Sequence, residues 1–204
     1  MNVQDVQKLP FDLHRIFKIQ SSKDFSDLAI LTCQFQYENC RVYRSYVDMI
    51  NKDVYSIERI EDIPFLPINF FKHHEVKSFE GEHALTFLSS GTTQQQRSRH
   101  FVADPSVYQL SFIKGFEHFY GAINDYVILG LLPSYMENEH SSLIYMVDHL
   151  IQLSEDKDSG FVLNDVDRML DIIQKRKTDK KILLIGVSYA LLDLAEKYHP
   201  DLSD

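Results

Sequence analysis

The sequence predicts an α/β fold in which a mainly parallel sheet is flanked by helices and preceded by a helical N-terminal region. Three observations predict it. From about residue 84 onward, short apolar runs alternate with amphipathic segments, the order expected of strands joined through helices. One of these runs, Tyr126 to Leu132, is continuously apolar, as a parallel strand covered on both faces must be. Before residue 84 the pattern is helical, rich in aromatics and charges. Residues 1–83 therefore read as a helical region closed by a proline-rich strap and residues 84–204 as an α/β region, the two expected to form one compact unit.

In chain order, the polar cluster Ser21-Ser22-Lys23-Asp24 precedes a helical stripe begun by Phe25, Leu28, Ala29, Leu31 and Thr32. A second helix is predicted over about Val42 to Ile50, with Val42, Tyr46, Met49 and Ile50 at helix spacing. In IEDIPFLPINFFK, Pro64 and Pro67 forbid a long regular helix and favour an extended strap. Ala84 to Leu88 is a short apolar strand and His100 to Val102 the returning one. Asp104 and Pro105 mark a helix start, with an N-cap carboxylate and proline at the first helical position. Tyr108, Phe112, Phe116, Phe119 and Tyr120 then form an aromatic stripe, read as core with a share in any apolar channel. After Tyr126 to Leu132 come a helix over Ser142 to Leu153, a strand over Phe161 to Leu163 and a helix capped by Asn164. A last strand, Lys181 to Gly186, leads into a helix capped by Ser188.

Composition narrows the function classes. The chain has 204 residues, 44% apolar and 25% charged, which suits a globular protein with its own core. Its formal charge of -9, from 21 basic and 30 acidic residues, opposes the phosphate attraction that drives nucleic-acid binding. Cys33 and Cys40 make neither a disulfide framework nor a four-cysteine zinc site, and packing is their expected role. His73, His74 and Glu75, with His83 and His100, lack the spacing of a metal motif. No secretory leader is visible, and no apolar run approaches the length of about 18 residues that spans a membrane. A cytoplasmic location in a reducing compartment is expected.

The segment ALTFLSSGTTQQQRSRHFV carries the most chemistry. A buried strand runs into Ser89, Ser90, Gly91, Thr92 and Thr93, four hydroxyls around the one residue that lets backbone turn tightly against a ligand. Such a loop makes an anion cradle. It lacks the spacing of a P-loop. Taken alone it reads first as a polar hairpin connection between two strands, since Ser, Thr and Gly are ordinary loop residues.

Four segments in order, IPFLPINFFK, FLSSGTT, LLPSYMENEHSSLIYMVDHLI and LLIGVSYALLDLAE, resemble the acyl-protein synthetases of bacterial bioluminescence and their adenylate-forming relatives near the phenylacetate–CoA ligases. The resemblance spans roughly Ile63 to Glu196. It implies the N-terminal portion of an adenylate-forming fold and ATP-dependent activation of a carboxylic acid, a fatty acid by the resemblance, to an acyl-adenylate. The acyl group then passes to a thiol of an acceptor protein or of CoA. Ser89, Ser90, Gly91, Thr92 and Thr93 would hold the ATP phosphates, because charge develops on the pyrophosphate leaving group, with Mg2+ sharing that task. No catalytic residue is assigned. Gln94, Gln95 and Gln96 stand where the family continues with glycine, and Arg97 and Arg99 are the nearest basic residues. The family's adenine site, lid and acyl-accepting cysteine follow the region matching Leu183 to Glu196. The chain is accordingly expected to be an incomplete N-terminal portion, inactive alone, with Cys33 and Cys40 outside the acyl-accepting role.

Two further constellations are candidates. Ser134, His140 and Ser141, with Gly186 and Ser188, fall beyond predicted strand ends, where α/β proteins bind ligands. A helix N-terminus there suits an anionic group, and equally a plain cap. GVSYA at Gly186 to Ala190 resembles the nucleophile elbow of an α/β-hydrolase, which makes an esterase using Ser188 the rival reading. That fold needs an acid and then a histidine downstream, and only His199 follows, at the far end of the next helix. The non-enzyme alternative is a fragment that binds acyl groups or a partner without catalysis.

Overall fold

The computed structural model describes residues 10–90, 96–134, 136, 138–175 and 180–200. The fold is mixed α/β, and the chain divides into two compact units, Met1–Tyr108 and Gln109–Asp204. Among the described residues, no helix is long and apolar enough to cross a membrane.

The first unit is built on α1 (Ser22–Asn39) and α2 (Arg41–Met49). Ser21 caps α1: its Oγ accepts from the Asp24 amide at 3.1 Å, and its hydroxyl donates to the Asp24 carboxylate at 2.7 Å. The first bond satisfies an amide that the helix start would leave unpaired, and the second holds the Asp24 carboxyl below its ordinary pKa. Cys33, Cys40, Tyr43, Val47, Val54 and Ile57 form the core of the unit. The phase of α2 differs from the expected stripe. Tyr43 and Val47 are buried, whereas Met49 and Ile50 are 69% and 41% exposed. Val42 and Tyr46 of the expected stripe are partly buried against this core, while the overlapping i, i+4 pair Tyr43–Val47 is buried in it.

The strap behaves as its prolines require. After a short 3-10 turn at Ile60–Asp62 the backbone is irregular until α3 (Phe70–His73). Ile63 and Leu66 pack inward against the Cys33–Tyr43 core, while Phe65 and Ile68 are exposed. His73 is the last residue of α3 and His74 its C-cap, so neither lies in a strand.

β1 (Leu85–Leu88) and β2 (Arg99–Val102) are antiparallel, with Leu85 opposite Val102 and Leu88 opposite Arg99. They form a two-stranded sheet of their own, so the expectation of a mainly parallel sheet holds only for the three later strands. The reason is length: a parallel return needs a crossover of a dozen or more residues, and the Ser89-to-Ser98 connection is too short for one.

α4 (Pro105–Tyr120) starts as predicted, with Asp104 Oδ1 accepting from the Ser106 amide at 2.9 Å and Pro105 at the first helical position. Phe112 and Phe116 are buried, but Phe119 and Tyr120 are 78% and 55% exposed, so the predicted aromatic stripe is core only over part of its length.

In the second unit β3 (Tyr126–Leu131) lies between β4 (Gly160–Phe161) and β5 (Lys181–Gly186), all parallel. All six residues of β3 are buried. On one face Val127, Leu129 and Leu131 meet Met169 of α6 (Val166–Lys175) and Ala190 and Leu194 of α7 (Ser188–Tyr198). The next residue, Leu132, packs with Ile144 and Val147 of α5 (Ser142–Leu153). Gly130 is required by that packing: a Cβ there would lie 3.0 Å from Phe161 and 3.2 Å from Val147. The turn before β4 is tied down by polar contacts. Buried Ser154 donates to Ser159 Oγ at 2.8 Å, and Lys180 pairs with the largely buried Asp156 at 3.3 Å.

Two caps differ from the sequence reading. α6 is capped by Asp165, whose Oδ1 accepts from the Arg168 amide at 3.2 Å, one residue beyond Asn164. Ser188 is the first helical residue of α7. Val187 is the N-cap, without a side-chain hydrogen bond. β5 ends at Gly186, so the chain reaches helical geometry one residue earlier than a serine cap requires.

Candidate functional site

An apolar cavity of about 660 Å³ opens in the first unit, within the size range of small-molecule sites. Its wall follows from helix periodicity. Phe25, Ala29, Thr32, Cys33 and Gln36 recur at helix spacing and share one face of α1. The strap supplies Ile63, Pro64, Phe65 and Leu66, and α3 supplies Phe71. The segment Val76, Lys77, Ser78 and Phe79, with His100, Phe101 and Val102 of β2, completes the lining.

Most polar groups on this lining already bond within the protein. The Thr32 hydroxyl donates to the Leu28 carbonyl at 2.7 Å. Ser78 donates to Gln36 Oε1. The Cys33 thiol and Tyr43 hydroxyl share a hydrogen bond at 3.2 Å. Burial pushes the Cys33 pKa up, opposed in part by that bond, and burial followed by the same bond raises Tyr43 well above the ordinary phenol range. Cys33 is thus held as a thiol at neutral pH and is no nucleophile, in keeping with a packing role.

Two basic residues remain on the lining. His100 stacks on Phe71 with ring centres 6.2 Å apart. The Lys77 ammonium lies 5.9 Å from the Phe79 ring centre and 6.0 Å from that of Phe101. Its ion pair with Glu75 is 3.6 Å long, beyond hydrogen-bond reach, and Glu75 is exposed. Among the described lining residues there is no carboxylate.

Ser89 and Ser90 are exposed at the end of β1. The Ser89 amide donates to the Ser98 carbonyl at 3.0 Å, and Ser89 Oγ accepts from the Ser98 amide at 3.0 Å. The Ser89 O–H can still donate outward. Gly91, Thr92 and Thr93 lie outside the described residues. Arg99 turns its guanidinium over Phe101, 5.5 Å from the ring centre.

In the second unit Leu131 and Gly186 are register partners, so the chain leaves β3 toward Ser134 and β5 toward Ser188 from neighbouring carboxyl ends of one parallel pair. The structure therefore gathers Ser134, Gly186 and Ser188 on one sheet edge. Ser141 is the N-cap of α5, its Oγ accepting from the Ile144 amide at 3.3 Å, and exposed His140 pairs with Glu139 at 3.8 Å. Gly186 has a packing reason of its own, because a Cβ there would lie 3.1 Å from Leu191 and 3.2 Å from Leu131. Ser188 and His199 stand at opposite ends of α7, about 16 Å apart along its axis, which no nucleophile–base hydrogen bond can bridge.

The sequence reading passed over Lys77, Gln36 and Ser78. The signal for Gln36 was present in the α1 spacing 25, 29, 32, 33, 36, but nothing local marks Lys77, which reaches the cavity through the fold. It also passed over Gln109, whose amide donates to the Tyr145 hydroxyl at 2.7 Å and contacts His149 Nε2 at 3.0 Å. His149 Nδ1 contacts the Tyr145 carbonyl at 3.1 Å. Both ring nitrogens are therefore engaged, and this half-buried network ties α4 to α5. Among the described residues, no three His, Cys, Asp or Glu side chains converge as metal ligands.

The chain matches no family model, no curated protein and no solved structure.

Proposed function

We propose that this chain binds a carboxylic acid with an apolar body and takes part in its ATP-dependent activation, in the manner of the acyl-protein synthetases its four segments resemble. The observation that carries the reading is the apolar cavity of about 660 Å³ in the first unit. The strap, one of the four resembling segments, forms part of its wall, and another part comes from β2, which pairs with the strand leading into Ser89 and Ser90. An apolar cavity under an extended strap suits an acyl or aryl chain, whose burial contributes about 0.8 kcal/mol per methylene.

ATP, when bound, would supply the adenylyl group that activates the acid, with pyrophosphate as the leaving group. Ser89 and Ser90 fit the role of phosphate donors: both are exposed, and the Ser89 O–H can donate while its oxygen accepts from Ser98. Mg2+ binds largely through phosphates and retained waters, so the lack of a three-ligand cluster among the described residues leaves that part of the reading untouched. An esterase centred on Ser188 has the weaker support, given the length of α7 between Ser188 and His199.

Calorimetric titration of the chain with a panel of fatty and aromatic acids, with and without ATP and magnesium, tests the proposal. Saturable binding of one acid per chain is expected, tightening with chain length until the cavity is filled. Absence of binding across the panel would overturn it. So would indifference to chain length.

A further inference from the structure

We infer that Lys77 is the anion anchor of the first unit's cavity, so that the cavity selects ionised monocarboxylates over neutral molecules of the same shape. The inference rests on the reading of that cavity as an acid site and adds the residue that recognises the carboxylate.

The argument is one of elimination and charge. Thr32, Cys33, Tyr43, Gln36 and Ser78 each make a hydrogen bond inside the protein. None of them is cationic. Among the described lining residues Lys77 is the lysine, and no carboxylate shares that lining with it. Its side chain is 27% exposed, so its stem is packed while the ammonium stays within reach of solvent. The aromatic rings of Phe79 and Phe101, at 5.9 and 6.0 Å, hold the ammonium through cation–π attraction. They offer it no hydrogen-bond acceptor of carboxylate strength.

Among the described residues its carboxylate partner is Glu75, at 3.6 Å and exposed, where solvent screens the attraction. Lys77 also borders a second, more polar hollow that contains Glu75 and Glu80; an ammonium has three donors, so a ligand carboxylate can approach from the apolar side while Glu75 stays on the other. A carboxylate that brings its apolar body between α1 and the strap would meet Lys77 in a less hydrated setting than Glu75 does. Charge-assisted hydrogen bonds in such settings are the strong ones. His100, stacked on Phe71, lies on the same lining and offers a second polar contact.

The test uses octanoate and 1-octanol as paired probes, titrated calorimetrically into the wild-type chain, Lys77→Gln and Lys77→Arg. The wild type is expected to bind octanoate at least tenfold more tightly than octanol. Lys77→Gln should lose about tenfold to a hundredfold in octanoate affinity and leave octanol unchanged. Lys77→Arg should keep most of the octanoate affinity. Equal affinities for the two probes in the wild type overturn the anchor and leave the cavity standing, and so does an unaltered octanoate affinity in Lys77→Gln. A parallel loss for both probes in Lys77→Gln shows a merely structural lysine and likewise overturns the inference. If neither probe binds the wild type, the acid-site reading fails first, and the anchor with it.

Discussion

The Cys33 thiol and the Tyr43 hydroxyl lie 3.2 Å apart across the α1–α2 contact, each the other's hydrogen-bond partner in a setting that disfavours both anions. Cys33 also lines the cavity, so one bond joins the core of the first unit to the wall of its site.

Burial of these two groups makes stability depend on alkaline pH. Both groups have folded pKa values raised above their ordinary 9.0 and 10.0. The folded state therefore holds these protons more tightly than the unfolded one. Their contribution is fully present below about pH 8.5 and is lost as pH rises beyond the unfolded values. Tyr37 and Tyr55, raised by bonds to Asp48 and Glu38, add to the same trend. The urea midpoint should fall between about pH 8 and pH 10.5, and the double variant Cys33→Ala/Tyr43→Phe should fall less steeply. An identical decline in both proteins would remove this account.

Gly186 belongs to the packing of the second unit. Gly186→Ala sets a methyl 3.1 Å from Leu191 and 3.2 Å from Leu131, and this overpacking should destabilise by about 1–3 kcal/mol. Gly160→Ala is the control, because its nearest neighbours are the flexible end of Arg168 at 3.8 and 3.9 Å. That variant should stay within about 0.5 kcal/mol of wild type. Chemical denaturation of both variants checks the contrast, and equal stabilities would show that α7 yields to the added methyl.

Ser89 and Ser90 should separate hairpin closure from phosphate binding. Ser89→Ala removes the acceptor for the Ser98 amide and should lower stability by about 1 kcal/mol. Ser90→Ala removes an exposed hydroxyl and should leave the melting temperature in place while weakening ATP by about tenfold or more. If Ser90→Ala leaves ATP affinity intact, that hydroxyl has no part in a phosphate cradle.

Along α4, neighbouring phenylalanines should respond in opposite ways. Phe112 is 8% exposed, and truncating it to alanine should cost about 3–5 kcal/mol. Phe119 is 78% exposed, and its alanine variant should change stability by less than about 0.5 kcal/mol. Comparable losses in the two variants would mean that Phe119 is covered in solution.

Features that depend on a few adjacent residues were legible in the sequence. Ser142–Leu153 forms the predicted helix, and Asp104 with Pro105 opens α4, because caps act over three or four residues. Tyr126–Leu131 is the buried central strand, because an unbroken apolar run has no face to give to water. The extended strap follows from Pro64 and Pro67, which exclude a regular helix by themselves. What the tertiary structure decided is which of several locally equivalent options is used. Val42–Tyr46 and Tyr43–Val47 have the same spacing, and both pairs pack against the core, but only the second is buried there. Phe112 and Phe119 are equally apolar, yet burial reaches only the first. The cavity needs α1, the strap, α3 and β2 together, and Lys77 enters it from a segment with no local signature. Local chemistry sets where an element begins and which conformations it forbids. Burial, and with it the walls of a site, is a sum over residues distant in the chain, which no short window of sequence contains.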